Sequence, residues 1–328
     1  MSDGVNDIIK ALRSEDFQIH LLSEEPSCVV KRWISTGCTP LDAIMGRGLP
    51  VGRFVEIYGG SSSGKSLIAG QVAASAQGEG HTVLYVDTEG AVSIEILEKL
   101  GVNTETLLYI MPDTIEEVFA IFENAINAFK KGKKKDDDSV LVIIWDSIAA
   151  TTALAELQHE VGKAHMAIHA RLMSQGLRKM TKLFQGDVCA LFLNQTRQKL
   201  GVMFGSNEST FGGKAMEFYS SVRIRLGNPK KIKGVKDPIG VMTKATVVKN
   251  KVSPPFRSAL LPIYFDIGID DVEAMWLFFK DYGLLKHTSA GWYTFEEVLG
   301  KDKKIQQSGW AEVYDEHFDK LEEMAFAL

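Results

Sequence analysis

The chain has 328 residues, of which 45% are hydrophobic and 24% are charged, and its formal net charge is −5. This is an ordinary globular composition, and the length favours one large domain with smaller appendages. No apolar run approaches the roughly 18 residues of a membrane span, and the opening residues show no signal-peptide pattern. Cys28, Cys38 and Cys189 have unrelated spacings, which argues against a disulfide framework and predicts reduced thiols in a cytoplasmic protein.

The charges are unevenly distributed along the chain. Nine Lys or Arg residues and one acid lie between Arg223 and Lys251, whereas six acids and one base lie between Ile305 and Leu328. A basic surface favours a polyanionic partner, and an acidic tail can compete for that surface. Two solvated surfaces without a partner would explain the same pattern, so the charge alone leaves both interpretations open.

Apolar runs that end in polar residues alternate with helical patterns from residue 54 onward. This alternation predicts an α/β fold in which helices flank a mainly parallel central sheet. We expect a short N-terminal helical or oligomerisation segment at 1–33, with its helix near 5–12, a core at 34–267, and a small C-terminal α/β domain with an acidic end at 268–328. The predicted core strands and helices include strands at 54–58, 82–87, 140–146 and 189–194, and helices at 115–131, about 166–184 and 214–219.

The segment GGSSSGKS fits the G-x-x-x-x-G-K-[ST] pattern of a phosphate-binding loop, and it lies between a predicted strand and a predicted helix. Backbone N–H groups of such a loop surround phosphate oxygens, and the N-terminus of the following helix favours negative charge. We expect Lys65 to reach the β- and γ-phosphates of ATP and the Ser66 hydroxyl to ligate Mg²⁺. A Gly/Ser turn without nucleotide is the alternative, and the flanking strand and helix argue against it. The predicted nucleotide-binding residues of this loop are Gly59, Gly60, Ser61, Ser62, Ser63, Gly64, Lys65 and Ser66.

Hydrolysis also needs an acid near the metal and a group that orients water. Asp146 ends the apolar run VLVIIWD, which is the Walker B position. Asp87 and Glu89 follow the run TVLYV, and Glu89 is the better candidate to orient water because it lies beyond the strand. A loop carboxylate without a catalytic role is the alternative for Glu89.

Asn194 and Gln195 end a third apolar strand at the same predicted sheet edge. A neutral amide there can bond the γ-phosphate or the attacking water, and it loses that bond when phosphate leaves. We therefore predict that Gln195 senses the nucleotide. The unusually long segment from Thr196 to Gly213 is then the predicted moving part.

Several segments closely resemble the bacterial RecA family of homologous recombinases, and the resemblance runs from about Ser35 to Lys251. It implies a RecA-type P-loop ATPase core at 34–267 with two DNA-binding loops, in a divergent or phage-encoded member. It further implies DNA-stimulated ATP hydrolysis, a helical filament on single-stranded DNA, and strand exchange with a homologous duplex. Loading or single-strand-binding proteins are further expected partners, in the cytoplasm and with no membrane. The matching segments are ISTGCTPLDAIMGRGLPVGRFVEIYGGSSSGKS, TVLYVDTEGA, VLVIIWDSIAA, EVGKAHMAIHARLMSQGLRKM, LFLNQTRQKLGVMFG, GGKAMEFYSSVRI and VVKNK.

The resemblance also implies roles for individual residues. Lys65 matches the family's phosphate contact, and Ser66 matches its Mg²⁺ contact. Asp146 matches the Walker B acid, which is also a metal ligand. Glu89 matches the catalytic carboxylate, and Gln195 matches the γ-phosphate sensor. The resemblance also implies that Lys249 and Lys251 are catalytic residues, because they match lysines that reach the ATP of a neighbouring subunit. Hydrolysis would then depend on assembly, because these cations arrive with the next subunit. Taken alone, the two lysines are ordinary edge-strand charges.

Two DNA-binding segments are implied by the same resemblance. The first runs from Glu156 to Ala164 and into the following helix, and the second begins at Arg197 and ends at Gly213. Backbone-dominated binding of this kind is largely independent of base sequence and depends steeply on salt. The predicted DNA-binding residues are Met166, Arg171, Ser174, Arg178, Arg197, Gln198, Lys199, Gly201, Val202, Met203, Gly212 and Gly213.

The chain departs from the family pattern in two places that bear on ligands. The family's adenine pocket uses a tyrosine and an aspartate where this chain has Ile96 and Ser93, and we expect Ser93 and Phe265 to supply adenine contacts. Phe211 and Lys214 stand where the family has small or neutral residues, and we expect them to alter strand capture.

Two other functions fit parts of the pattern. A RecA-like hexameric helicase or translocase would need a ring-forming linker and an accessory domain, and the sequence has no segment of that kind. A scaffold that uses ATP only to switch assembly would bind ATP with little turnover, although Glu89 and Gln195 are both present.

Overall fold

The chain divides into two compact units, Met1–Lys31 and Arg32–Leu328. In the first unit the described helix is α1 (Asp3–Ser14), which has Ile8 and Leu12 on one helical face and agrees with the helix predicted near 5–12. The computed structural model describes residues 3–15, 19, 21, 29–157, 166–198, 208–227, 229–301 and 303–328.

Strands and helices alternate through most of the second unit. Its strands are β1 (Trp33–Ile34), β2 (Leu49–Pro50), β3 (Phe54–Gly59), β4 (Thr82–Asp87), β5 (Leu108–Ile110), β6 (Leu141–Asp146), β7 (Val188–Gln198), β8 (Glu208–Thr210), β9 (Val222–Leu226), β10 (Lys230–Lys233), β11 (Pro238–Asn250), β12 (Ser258–Tyr264), β13 (Gly268–Ile269), β14 (Lys286–Ser289), β15 (Trp292–Thr294) and β16 (Lys304–Ile305). Its helices are α2 (Thr39–Met45), α3 (Lys65–Gly78), α4 (Ile94–Lys99), α5 (Ile115–Gly132), α6 (Leu154–Leu157), α7 (Met166–Leu183), α8 (Ala215–Tyr219), α9 (Asp271–Asp281), α10 (Glu296–Leu299) and α11 (Trp310–Ala327).

An eleven-stranded sheet forms the centre of the second unit, with the path β13-β12-β11-β9-β3-β7-β6-β4-β5 and with β10 and β8 paired to β11 and β7. The pairs from β9 to β5 are parallel, and those from β9 to β13 are antiparallel. The predicted α/β fold with a mainly parallel sheet is therefore confirmed. Parallel strands end at one edge, and the register places Gly59 opposite Gln195 and Asp87 opposite Asp146. All three predicted strand ends of the site thus meet at that edge.

The two faces of the sheet bury separate hydrophobic clusters, because successive side chains of a strand point to opposite sides. Ile144 joins the cluster that includes α3, whereas its neighbour Trp145 joins the cluster that includes α5 and α7. Phe122, Trp145 and Phe192 pack together in the second cluster, with ring centroids 5.4–5.8 Å apart. Helices on both faces explain why the central strands are almost continuously apolar.

Strand β7 continues beyond the sheet edge as half of a hairpin. We expected this strand to end at Asn194, and that prediction is wrong, since β7 extends to Gln198. The extension is stabilised by antiparallel pairing with β8, in which Thr196 lies opposite Thr210 and Arg197 opposite Ser209. The partner strand lies ten residues or more along the chain, so the local sequence did not show it.

The residues after Ile267 form helices α9 to α11 and the three-stranded sheet β14-β15-β16. Trp310 of α11 donates from Nε1 to the Val272 carbonyl at 2.8 Å, and its ring lies 6.1 Å from that of Phe295. Tyr314 donates to Asp271 at 2.6 Å. These aromatic residues share one hydrophobic cluster with α2 and α3, and the expected domain boundary at residue 267 stays a prediction.

Two sequence expectations concern membranes and thiols. None of the described helices is both long and apolar enough to cross a membrane. Cys38 and Cys189 are buried free thiols, and Cys28 lies outside the described residues.

Candidate active site and nucleic-acid interface

The glycine- and serine-rich loop joins β3 to α3 at the carboxyl edge of the sheet. Gly64 is the N-cap of α3 with φ of 93°, a left-handed conformation that favours glycine, and Ser62 also has a positive φ of 58°. Ser63 is fully buried, and its Oγ has no hydrogen-bond partner among the described residues. An unpartnered buried hydroxyl beside the N-terminus of a helix suits a phosphate oxygen. The loop therefore fits the nucleotide phosphates that its sequence predicts.

Lys65 begins α3 and folds back over this loop. Its Nζ donates to the carbonyls of Gly60 at 2.8 Å and Gly59 at 3.3 Å. Burial lowers the pKa of Lys65, and the carboxylates of Asp146 and Glu89 act in the opposite direction. The ammonium group thus lies where a phosphate could replace two neutral carbonyl contacts with stronger charge-assisted hydrogen bonds.

Asp146 ends β6 directly beside the loop and is buried. Its Oδ2 accepts a hydrogen bond of 2.9 Å from Tyr85 Oη, and the Ser66 hydroxyl also bonds the carboxylate. Burial raises the pKa of Asp146, while the bonds from Ser66 and Tyr85 oppose that shift. A hydroxyl and a carboxylate in contact form the hard oxygen donor set that Mg²⁺ prefers.

Glu89 and Gln195 are joined directly. Gln195 Nε2 donates to Glu89 Oε1 at 2.9 Å, and Ser147 Oγ donates to the same oxygen at 2.5 Å. Asp87, in contrast, is buried and accepts the backbone N–H groups of Glu89 at 2.9 Å and Gly90 at 2.8 Å. Asp87 therefore shapes the turn, and the exposed Glu89 carries the carboxylate that can meet a ligand.

Asn194 has a structural position, unlike its neighbour Gln195. It is fully buried, and its Nδ2 donates to Glu56 Oε1 at 2.9 Å and to the Phe211 carbonyl at 3.0 Å. Glu56 in turn pairs with Arg223 Nε at 2.5 Å. Burial raises the pKa of Glu56, and the Arg223 charge lowers it. The Asn194 amide therefore closes the base of the β7–β8 hairpin, whereas Gln195 is the amide of this pair that bonds Glu89.

A family model described as the RecA N-terminal domain matches residues 5–270 of the chain. The chain belongs to the RecA family. Protein RecA of Corynebacterium efficiens is 40% identical over 296 residues, which cover 89% of this chain and 74% of that protein. Protein RecA of Saccharopolyspora erythraea is 41% identical over 274 residues, covering 83% and 76%, and that of Corynebacterium aurimucosum is 42% identical over 274 residues, covering 83% and 70%.

Membership of the RecA family confirms the predicted function class. RecA proteins are DNA-dependent ATPases of the P-loop type, and the relationship supports an ATP-dependent recombinase that binds DNA and forms filaments. The predicted roles of single residues, including those of the loop, stay predictions.

In this RecA-family chain Lys249 lies near the end of β11, and Lys251 directly follows that strand. Lys249 Nζ donates to the carbonyls of Glu217 and Phe218, and Lys251 Nζ donates to the Phe218 carbonyl at 3.3 Å. Burial, with the nearby Lys251 and Arg223 charges, lowers the pKa of Lys249 to about 8. In a single chain both lysines therefore bond the last carbonyls of α8, the helix that follows the second predicted DNA segment.

Of the two predicted adenine contacts, Ser93 is half-buried and Phe265 is exposed. Ser93 is the N-cap of α4, and its Oγ accepts the Ile96 N–H at 3.4 Å. Phe265 follows β12 and is 48% exposed. The Ser93 hydroxyl thus has a local role in starting α4, and the adenine assignments stay predictions.

The described DNA candidates of the first segment lie on α7. Arg171 and Arg178 are exposed on one face of this helix, Ser174 is half-buried between them, and Met173 and Leu177 are buried on the other face. Arg178 Nε donates to Tyr219 Oη at 3.4 Å. Lys199, Gly201, Val202 and Met203 lie outside the described residues, and for Met166 and Gln198 only the backbone is described.

The second segment returns to the core through Gly212 and Gly213, with φ of 81° and 64°. A Cβ on Gly213 would lie 3.0 Å from that of Ala170 in α7, and one on Gly212 would lie 3.3 Å from Met173 Cγ. Glycine is therefore needed for backbone conformation and for close packing on α7. These contacts bring the two predicted DNA segments together.

Tyr85 and Ser147 hold the two candidate carboxylates, and the sequence patterns predict no role for either residue. Tyr85 lies inside an apolar run, which by itself predicts only a strand. Its hydroxyl was the available signal, because a buried tyrosine usually finds a hydrogen-bond partner. Ser147 gave no comparable signal, since a serine after a strand is common in any turn.

Proposed function

We propose that this RecA-family chain assembles as a helical filament on single-stranded DNA, hydrolyses ATP there, and pairs the strand with a homologous duplex. One observation carries the proposal: Gln195 donates to Glu89 at 2.9 Å from the strand that continues into the second DNA segment. A single strand thus connects the candidate hydrolytic carboxylate with the candidate DNA contact Arg197. A change at the nucleotide would therefore reach the DNA segment through a covalent path of two residues, from Gln195 to Arg197.

The loop and its neighbours fit ATP with Mg²⁺. We propose that residues 59–66 hold the phosphates, that Lys65 stabilises their charge, and that Ser66 and Asp146 hold the metal. Bound Mg²⁺ supplies charge neutralisation at the transferred phosphoryl group. Tyr85 keeps the Asp146 carboxylate oriented through its 2.9 Å hydrogen bond.

Glu89 is the proposed group that orients the attacking water. Its Oε1 accepts hydrogen bonds from both Gln195 and Ser147, so one carboxylate oxygen has two donors from the protein. We propose that the Gln195 amide exchanges this bond for the γ-phosphate when ATP binds. The exchange would release Glu89 toward water and shift the end of β7 at the same time.

Lys249 and Lys251 are proposed to complete the ATP site of a neighbouring copy. Both ammonium groups already converge on the carbonyl of Phe218, so they are placed to act as a pair. Two cations that arrive only on assembly would stabilise the developing phosphoryl charge. Family membership also supports loading or single-strand-binding proteins as partners and a cytoplasmic location, which we propose on that ground alone.

The experiment compares ATP hydrolysis with and without single-stranded DNA, in the wild type and in Gln195→Ala, and measures joint-molecule formation with a homologous duplex. We expect DNA to stimulate the wild type severalfold and joint molecules to form. Gln195→Ala should bind ATP with nearly unchanged affinity, because residues 59–66 keep their phosphate contacts. It should lose most of the stimulation, because it lacks the amide that links the nucleotide to β7.

Lys134→Ala, a substitution in the exposed turn after α5, is the matched control and should behave as the wild type. Equal hydrolysis with and without DNA, together with no joint molecules, would overturn the proposal. Duplex unwinding by ring-shaped assemblies would favour the helicase alternative. Unchanged DNA stimulation in Gln195→Ala would remove the sensor assignment alone.

A further inference from the structure

Arg197 begins the second DNA segment and Phe211 lies two residues before its end, and the two side chains stack. The guanidinium carbon of Arg197 lies 3.5 Å from the centroid of the Phe211 ring. A cation over a ring face at this distance is a cation–π contact. The Arg197 side chain is exposed and the Phe211 ring is half-buried, so the contact lies at the point where the hairpin leaves the core.

Phe211 is held in place independently of Arg197. Its carbonyl accepts the hydrogen bond from the buried Asn194 at 3.0 Å, and Asn194 also bonds Glu56 at 2.9 Å. Its side chain packs against the hydrophobic cluster that contains Trp145. The ring is therefore a fixed surface, and Arg197 is the longer and more adaptable partner.

The hairpin register brings Arg197 and Phe211 close together, next to the proposed sensor in the chain. Arg197 lies opposite Ser209, so Phe211 is its diagonal neighbour two residues further along. Gln195 and Arg197 are separated by one residue in β7, and alternate residues of a strand share a face. The Glu89–Gln195 bond and the Arg197–Phe211 stack thus involve residues of β7 that are only two positions apart.

Stacking and phosphate binding use different parts of a guanidinium group. The ring contacts the flat face, whereas a phosphate accepts hydrogen bonds from the N–H groups at the edge. An arginine that stacks on a fixed ring has already given up much of the rotamer freedom that binding would otherwise remove. The stack can therefore persist while the edge of Arg197 binds a phosphate.

We propose that Phe211 is a positioning residue that holds the Arg197 guanidinium for a phosphate of the bound single strand. The inference rests on the proposed role of Arg197 as a DNA contact, and it specifies how Phe211, which the sequence only predicts to alter strand capture, would act. Phe211 acts through Arg197 and does not itself contact the strand.

A double-mutant cycle tests this in the full chain. Binding of a fluorescently labelled oligothymidylate is measured by anisotropy, with a non-hydrolysable ATP analogue, for wild type, Phe211→Leu, Arg197→Gln and the double variant. Leucine keeps the apolar packing and removes the π face. We expect Phe211→Leu to weaken binding about fivefold and Phe211→Tyr to retain it, in line with the usual strength of a cation–π contact. In the Arg197→Gln background, Phe211→Leu should cause no further loss.

Each other outcome has a distinct meaning. If Arg197→Gln leaves binding unchanged, the DNA role of Arg197 fails and this inference fails with it. If Arg197→Gln weakens binding and Phe211→Leu does not, the inference alone fails. A Phe211→Leu effect that is equal in both backgrounds shows a direct contact between the ring and DNA, which also overturns it.

Three controls separate positioning from loss of structure. Phe256→Leu, at a 77% exposed phenylalanine of another loop, should bind DNA as the wild type does. Affinity for the ATP analogue and the thermal unfolding midpoint should be unchanged in Phe211→Leu. Phe211→Met, with a flexible apolar side chain, replaces it if the leucine variant is unstable, and the same fivefold loss is then expected.

Discussion

The phosphate-binding loop and the base of the β7–β8 hairpin lie at the same edge of one sheet, but their positions have different origins. Eight consecutive residues form the loop, Gly59 to Ser66, and its shape follows from glycine conformations and the start of α3. The hairpin base is built from residues far apart in sequence, since Glu56, Asn194 and Phe211 are joined by hydrogen bonds. The conformation of a local site is largely set by its own residues. The contacts of a site made of distant residues form only when the whole sheet has folded.

The two regions also differ in how charge is neutralised. In the loop, the Lys65 ammonium bonds two neutral carbonyls, and the carboxylates of Asp146 and Glu89 lie near it. In the hairpin base, Glu56 and Arg223 already neutralise each other inside the protein. Changes in the loop should therefore affect catalysis, and changes in the hairpin base should affect folding.

The largest expected effect is on catalysis. Lys65→Ala should reduce DNA-stimulated ATP hydrolysis by about 10²–10³-fold, the usual loss when one donor to a developing charge is removed. The free energy of unfolding should change little, because the ammonium bonds only carbonyls of its own loop. Steady-state hydrolysis and chemical denaturation measure the two quantities. Hydrolysis within twofold of the wild type would show that the loop is not the catalytic site.

The next effect is on stability, at the hairpin base. Arg223→Met should destabilise the fold by about 3–5 kcal/mol, because it leaves the fully buried Glu56 carboxylate without its partner. The double variant with Glu56→Gln should recover much of the loss, since no buried charge remains. Chemical denaturation at neutral pH measures both variants. If Arg223→Met lowers the free energy of unfolding by less than about 1 kcal/mol, the Glu56–Arg223 pair contributes no more than an exposed ion pair does.

The smallest effect concerns pH, at the end of α8 beside the hairpin base. The pKa of Lys249 is lowered to about 8 in the folded chain, from an ordinary value of 10.5. Between these values the unfolded chain binds the additional proton, so the contribution of this group to stability increases as pH rises. Lys249→Met should remove that part of the pH dependence, measured by denaturation at pH values on either side of the window.

Lys244→Met, on the same strand β11, is the matched control and should keep the wild-type pH dependence. An unchanged profile in Lys249→Met would show that another group is responsible. The contact of Lys249 with the α8 carbonyls would then have no measurable effect on the pH dependence of the free energy of unfolding.

Much of the ATP site could be predicted from sequence because its parts are local or end apolar strands. The loop pattern predicted a strand before Gly59 and a helix after it, and both are present. Asp146, Glu89 and Gln195 were expected at one edge, and the register of the parallel strands brings them there. A parallel sheet makes this inference possible, because it collects the ends of separate strands at one edge.

The hairpin base could not be predicted in the same way. Asn194 and Gln195 are adjacent polar residues at a strand end, and nothing local distinguishes a buried amide from one that faces a ligand. The side chains of Asn194 and Gln195 point to opposite faces of the sheet, because neighbouring residues of a strand do so. The position of Glu56 in the adjacent strand β3 shows that the Asn194 side chain is the buried one. The same applies to Tyr85, which reaches Asp146 from an adjacent strand.

By itself, the sequence determined the class of protein, the nucleotide loop and the order of strands and helices, since these depend on short patterns and backbone preferences. Tertiary structure alone decided that β7 continues into a hairpin, that Asn194 belongs to the core, and that Arg197 stacks on Phe211. The physical reason is the range of the interactions. Glycine conformation and hydrophobic periodicity act over a few residues, whereas a hydrogen bond or a ring contact joins residues that the chain brings together only when the whole sheet has formed.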